Sequence, residues 1–136
     1  MSNEDKWIYT PDEMREVFTN YIKEAVNDKY FQVLYQLTQK AAECARYDTE
    51  VREILTRKLD MSVKCYPELE RSANIFRAVY LDGDTKPTRR EIGERFYIDK
   101  SGISRHTKKV LRILVVMLFA VAGIEWESEE PSETPA

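Results

Sequence analysis

A chain of 136 residues has room for one domain with a single core, and 43% hydrophobic with 33% charged residues is the composition of a soluble globular protein. Only four Gly and five Pro favour helices over many short strands, so we expect an all-α domain of five or six helices with a C-terminal helix-turn-helix and a long apolar last helix. The polar, acidic start MSNEDKW argues against a signal peptide. The net charge of −3 conceals nine basic against three acidic residues between Thr85 and Arg112, so an acidic average does not exclude a nucleic-acid partner.

Three helices are predicted in an N-terminal helical region, residues 1–65. Thr10-Pro11-Asp12-Glu13 is a capping box with Pro at the first helical position. A break at Asn27-Asp28 precedes a second helix that runs to about Tyr47, and Asp48 or Thr49 can cap a third. Apolar residues at helical spacing predict the buried sides of these helices: Met14, Val17, Phe18, Tyr21, Ile22 and Ala25; Phe31, Leu34, Tyr35, Leu37, Ala41 and Ala45; Val51, Ile54, Leu55 and Leu59.

The second region, residues 66–124, is expected to pack with the first as one domain. Pro67 opens a fourth helix, which closes at Asp82-Gly83. Thr88-Arg89-Arg90-Glu91 is another capping box and starts a short helix, Thr88–Tyr97. The inner side of this short helix is predicted to consist of Ile92, Gly93, Phe96 and Tyr97.

Ile98-Asp99 is the predicted turn after the short helix, with Asp99 capping a last helix from Lys100 to about Ile124. The run from Ile113 to Ile124 contains 12 residues, all apolar or Gly. A membrane span needs about 20, so the run predicts a buried helix and no membrane partner. The N-terminal helices are expected to cover one side of it, and a second copy of the chain could cover another. Residues 125–136 are acidic and lack core residues, which predicts a disordered tail.

Two helices joined by a tight turn, the second one basic on its exposed side, are typical of a DNA-binding helix-turn-helix. Gly93 provides a small residue where the two helices are expected to cross. Short polar side chains at Ser101 and Ser104 allow close approach to the major groove. The basic candidates for contact with base edges or phosphates are Lys100, Arg105, Lys108, Lys109 and Arg112 on the last helix, with Arg89 and Arg90 on the short helix as second-rank candidates.

The stretch Tyr66–Leu114, 49 of the 136 residues, resembles the promoter-reading C-terminal domain of bacterial sigma factors. In that family a helix ending in YLDG precedes a helix-turn-helix of the form T-x-x-E-I-A-x-x-x-x-I-S-x-s-x-V-S-R-H. The same pattern occurs in stand-alone regulators of phages and mobile elements in Gram-positive bacteria. The present chain matches the pattern at Thr88, Glu91, Ile92, Ile98, Ser101, Ile103, Ser104, Arg105 and His106.

Two departures from the family pattern matter. Tyr97 stands where Gly usually precedes the turn Ile, and Asp99 replaces the usual Ser, which keeps a cap but adds a negative charge. The first 65 residues also lack the acidic segment of the sigma core-binding domain, so a sigma-like regulator is favoured over a complete sigma factor. The predicted function is sequence-specific binding of double-stranded DNA as a transcriptional regulator. The alternative is a protein-interaction module that binds RNA polymerase or another regulator without specific DNA contact.

Catalytic, metal and cofactor sites have little support in the sequence. His106 is the only histidine, and it is interpreted as a residue near phosphate or solvent. The four glycines are isolated, so there is no phosphate-binding loop. Cys44 and Cys65, without an export signal, predict free thiols and a cytoplasmic protein. The tyrosines of the N-terminal helices are interpreted as core and partner surface. We therefore expect no enzyme, no cofactor and no metal.

Overall fold

A computed structural model describes residues 10–25 and 27–120, and these residues form six α-helices without any strand. The helices are α1 (Pro11–Ala25), α2 (Lys29–Ala45), α3 (Thr49–Cys65), α4 (Glu70–Phe76), α5 (Arg89–Phe96) and α6 (Lys100–Val115). A 3-10 turn, Pro67–Leu69, leads into α4. Turns of π-helix extend α4 over Arg77–Leu81 and α6 over Val116–Ala120. The prediction of an all-α protein with five or six helices is confirmed for this part of the chain.

Local capping signals set the helix starts. At α1 the Thr10 backbone N–H donates to Glu13 Oε1 over 2.9 Å, and the Glu13 N–H donates to Thr10 Oγ1 over 3.2 Å. Asp28 caps α2 by accepting from the Tyr30 N–H. Asp48, rather than Thr49, caps α3. Each cap satisfies backbone donors that the first helical turn leaves unpaired, so these starts follow from sequence alone.

The main core lies between α1, α2, α3, α4 and the C-terminal half of α6. Leu114, Val115, Val116 and Met117 are fully buried in it, so the apolar run from Ile113 is largely covered within one chain as far as Leu118. Phe119 remains exposed. The predicted end of the last helix near Ile124 and the predicted disordered tail, 125–136, lie outside the described residues.

Four of the residues predicted on the buried sides of the N-terminal helices are exposed: Val17, Tyr21, Leu37 and Ile54. Among the tyrosines described in α1, α2 and the turn after α2, Tyr30 and Tyr47 are exposed as well, and Tyr35 is the one that is partly buried. These helices have the predicted helical period, but they carry more apolar residues than one core-facing side can bury. The surplus residues lie on the outside.

A buried arginine ties α2 to the end of α4. Arg46 is 8% exposed, and its guanidinium donates to the carbonyl oxygens of Ala78, Val79 and Asp82 at 3.3, 2.9 and 3.2 Å. The last carbonyls of a helix lack intrahelical donors and carry the negative end of the helix dipole. Arg46 therefore caps the helical segment that leads into the loop before α5.

A second, smaller apolar cluster joins α4 to α5 and α6. Its buried members are Ile75, Ala78, Ile92 and Ile103, with Val79, Phe96 and Ile98 packed against them. Because Ile92 and Ile103 come from the two sides of the turn, this cluster fixes α5 relative to the first turns of α6. The small cluster therefore holds together α5 and α6, the two helices that carry the predicted basic site residues.

Candidate nucleic-acid interface

The capping box predicted at Thr88 sets the start of α5. The Glu91 N–H donates to Thr88 Oγ1 and the Thr88 N–H donates to Glu91 Oε1, each over 3.1 Å. The pKa of the Glu91 carboxyl is lowered, chiefly because it accepts this backbone hydrogen bond. The prediction is confirmed by both halves of the box.

The turn between α5 and α6 needs glycine at position 93. The Gly93 carbonyl accepts from the Ile98 N–H over 3.0 Å, and a Cβ on Gly93 would lie 2.7 Å from the Ile98 carbonyl oxygen. The expected reason for a small residue, contact where the two helices cross, is therefore wrong. Gly93 is required because the chain folds back over its own helix end.

Tyr97 follows at the end of α5 in the left-handed conformation, with φ 57° and ψ 47°. Tyr97 is 93% exposed, so the prediction that it lies on the inner side of the short helix is wrong. The left-handed turn directs the side chain outward, and Ile98 takes the inner place instead. The turn thus presents a large aromatic side chain to the surroundings.

Asp99 caps α6, as its position in the sequence predicts. Its Oδ1 accepts from the Gly102 N–H over 2.7 Å and from the Ser101 hydroxyl over 3.1 Å. The backbone bond from Gly102 is the main cause of the lowered pKa of this carboxyl, and the charge of Arg105 lowers it further. The first turn of α6 therefore carries a fixed negative charge beside Ser101 and Arg105.

The outward side of α6 brings together the site residues predicted on it, apart from Lys100. All of them are exposed except Ser104, which is half-buried. Ile103, Thr107 and Val110 are buried on the opposite side. With 100° per residue, four cations lie within about 100° of one another along about 10 Å of helix: Arg105, Lys108, Lys109 and Arg112. Lys100, in the first turn, lies about 180° around the helix from Lys109.

The two arginines of α5 are also exposed, but they differ in their surroundings. Arg90 Nε donates to Glu94 Oε1 over 3.0 Å, one turn along the same helix. This pair is strongly exposed and its contribution to stability is small. Arg89 lies close enough to Tyr80 for its charge to lower the pKa of that phenol, against the larger effect of burial, which raises it.

The sequence predicts that His106 lies near phosphate or solvent, but in the structure its side chain packs toward α4. Its ring is partly buried, and Nδ1 lies 2.7 Å from the Ser72 hydroxyl of α4. Burial lowers the pKa of His106, and the charges of Arg71, Lys109 and Arg105 lower it further. The side chain therefore links α6 to α4 rather than facing a phosphate.

Arg71 is a cation of this region that the sequence analysis missed. It is exposed on α4, and its Nη2 donates to the Phe96 carbonyl oxygen over 2.8 Å at the end of α5. The contact ties α4 to the turn and adds positive charge beside His106. No sequence signal marks it, since Arg71 lies 25 residues before Phe96 and outside the basic segment.

Two structural findings concern other kinds of site. None of the described helices is both long and apolar enough to cross a membrane. Within residues 10–25 and 27–120 no three His, Cys, Asp or Glu side chains are grouped so that they could hold a metal ion. Both cysteines are free thiols, as predicted, Cys44 exposed and Cys65 buried, and burial raises the pKa of Cys65 to about 11.

Comparison of the chain with protein families, with curated proteins and with solved structures gives no match.

Proposed function

We propose that this protein is a sequence-specific DNA-binding transcriptional regulator, in which α5, the turn and α6 act as a helix-turn-helix and α6 enters the major groove. The observation that carries the proposal is the exposed basic side of α6, braced from behind by the cluster of Ile75, Ala78, Ile92 and Ile103. The resemblance of Tyr66–Leu114 to the sigma C-terminal domain supports the same function. The proposal includes a cytoplasmic location and no catalytic role, metal or cofactor.

The chemistry of each side chain assigns its role. Arg105 has a planar fork of donors that matches a guanine edge, while Ser101 and Ser104 permit close approach. Lys108, Lys109 and Arg112 lie further along α6, where a helix that leaves the groove meets phosphates. Lys100 at the start of α6, with Arg89 and Arg90 on α5, would contact the backbone on the other side of the groove.

The test begins with selection of a preferred duplex from random DNA by the full chain. Arg105→Ala should weaken binding to that duplex by about 1–3 kcal/mol and relax the base preference at one position. Lys108→Ala should weaken specific and non-specific binding alike and reduce the salt slope by about one. Arg57→Ala, an exposed basic position on α3, is the matched control and should change neither quantity.

The double variant Arg105→Ala with Lys108→Ala gives the sharpest result. Both side chains are exposed, so circular dichroism and thermal stability should match the parent. Parent-like affinity of this folded double variant for the selected duplex would contradict the assignment of α6 as the DNA-reading helix.

The second candidate function is a protein-interaction module for RNA polymerase or another regulator, and Tyr97 favours it. Tyr97 is 93% exposed on a left-handed turn, and exposed aromatic side chains of this kind serve as anchors in protein interfaces. Tyr97→Ala separates the two functions. Loss of polymerase binding with DNA binding intact would support the interaction module, whereas loss of DNA affinity would place Tyr97 at the DNA backbone.

A further inference from the structure

Helix α2 carries a second apolar side that no other part of the chain within residues 10–25 and 27–120 covers. Tyr30, Val33 and Leu37 are 68%, 50% and 53% exposed, and their spacing of three and four residues places them in one line along the helix. The core-facing residues of α2, Phe31, Leu34, Thr38, Ala42 and Ala45, lie on a different side. We call Tyr30, Val33 and Leu37 the α2 stripe.

The α2 stripe has the spacing of a helix-pairing seam. If Tyr30 is assigned to position a of a heptad, Val33 takes d, Leu37 the next a and Lys40 the next d. The flanking g positions are then Lys29, Gln36 and Glu43, all of them exposed. One end of the seam is thus flanked by a positive charge and the other end by a negative one.

We propose that the α2 stripe is a dimer interface in which α2 packs antiparallel against α2 of a second copy of this chain. In an antiparallel pair the a residue of one helix packs against the d residue of the other, and g positions face g positions. With Gln36 on the two-fold axis, Leu37 packs on the partner subunit's Val33, and Tyr30 lies along the methylene stem of the partner subunit's Lys40.

The charges specify both the partner and the orientation. In the same register Lys29 faces the partner subunit's Glu43, and the two-fold axis repeats this opposite-charge pair at the other end. A parallel pair would instead set Lys40 against the partner subunit's Lys40 at the C-terminal end of the seam. The flanking charges of α2 therefore complement a second α2 in the antiparallel orientation, which is why a second copy is favoured over an unrelated protein.

This interface differs from the one that the sequence suggested. The apolar run from Ile113 is largely covered by the chain's own helices as far as Leu118, whereas the α2 stripe is open. The inference does not rest on the proposed DNA-binding function. If both hold, the dimer presents two copies of α6 related by a two-fold axis, as a palindromic site requires.

Analytical ultracentrifugation of the full chain without DNA, from low to high micromolar concentration, tests the proposal. The parent should dimerise. Leu37→Glu should abolish the dimer, because it buries a charge in the seam. Val17→Glu, at a similarly exposed apolar position on α1, is the matched control and should leave the dimer unchanged.

Charge reversal tests the orientation. Lys29→Glu and Glu43→Lys should each raise the dimer dissociation constant at least about tenfold, because each places like charges together at both ends of the seam. The double variant Lys29→Glu with Glu43→Lys restores opposite charges and should return to within about threefold of the parent. Circular dichroism confirms the fold of every variant. A parent that stays monomeric, or a double variant no better than the singles, would overturn the proposal.

Discussion

At the scale of single residues, Tyr97 shows a conflict between sequence and conformation. Its φ of 57° brings Cβ close to the following carbonyl oxygen, which costs an L-residue roughly 1–2 kcal/mol. The ring does not recover this energy in the fold, since the residue is 93% exposed. A strained, exposed aromatic residue at a turn is the kind of position that function retains at the expense of stability.

Tyr97→Gly should therefore stabilise the protein. Relief of the left-handed strain is offset in part by the extra chain entropy of glycine, roughly 0.5–1 kcal/mol, which leaves a net gain of about 0.5–1 kcal/mol. The gain should appear as a higher urea midpoint. Tyr97→Ala is the control: it removes the ring but keeps Cβ, and it should leave the midpoint nearly unchanged. A loss of stability in both variants would mean that the ring makes a contact within the fold.

His106 gives a second residue-scale prediction, on the pH dependence of stability. Its pKa is lowered in the fold, so near that pKa the unfolded chain binds more protons than the folded one. Stability is therefore full above the ordinary histidine pKa of about 6.5 and is lost as pH falls through the lower, folded value. Ser72 and Arg71 lie near His106 on α4, and Arg105 and Lys109 lie near it on α6. Burial and these three positive charges all disfavour the protonated form of the ring.

Comparison of the parent with His106→Gln between pH 7 and 5 measures this effect. The parent should lose stability over this range and the variant should lose less, while Gln can still bond to Ser72. Glu13, Glu68, Glu91 and Asp99 also have lowered pKa values, but they lose their contribution only at lower pH, from about 4 downwards. Parallel pH curves for parent and variant would remove His106 as the cause.

At the scale of elements, the end of α4 depends on a side chain from α2. Arg46→Met keeps the long apolar stem but removes the donors to the Ala78, Val79 and Asp82 carbonyls. Loss of a buried charged donor that leaves carbonyls unpaired should cost about 2–3 kcal/mol of unfolding free energy. Arg57→Met, at an exposed position on α3, is the matched control and should cost little. Equal urea midpoints for the two variants would show that water replaces the Arg46 donors.

At the scale of the whole molecule, the sequence predicts contacts within about four residues far better than contacts between helices. The caps at Thr88 and Asp99 were predictable because their partners lie three residues away. The contacts of Arg46 with α4 and of Arg71 with Phe96 span 25 residues or more and have no local pattern. Tyr97 was misplaced for a related reason, because helical periodicity assumes that the helix continues through a residue that in fact ends it.

At the candidate site too, the sequence predicts the features of a single helix but not the contacts between helices. Helical spacing placed Arg105 and Lys108 on the exposed side of α6, because that inference needs only one regular helix. It could not show that α6 is divided between two cores, with Ile103 in the small cluster and Val110 to Met117 in the main one. This division depends on how α4 crosses α6, which only the assembled fold determines.

The two cores lead to a prediction about cooperativity. The small cluster rests on only four buried side chains, so α5 and the turn should open more easily than α3, which lies in the main core. Ile92→Ala removes three carbons from the small cluster and should cost roughly 2–4 kcal/mol locally. In hydrogen exchange, the amides of α5 should then lose protection while those of α3 keep theirs.

Leu55→Ala is the comparison variant, because Leu55 is fully buried in the main core and belongs to α3. Its loss should lower the protection of α3 and of α5 together, since opening of the main core also releases α4 and α6, on which α5 rests. The proposed DNA affinity should fall together with the exchange protection of the α5 amides. Ile92→Ala should therefore weaken DNA binding under conditions in which the amides of α3 remain fully protected. Uniform loss of protection in both variants would show instead that the two clusters unfold as one cooperative unit, and that α5 has no independent opening to which DNA binding could be coupled.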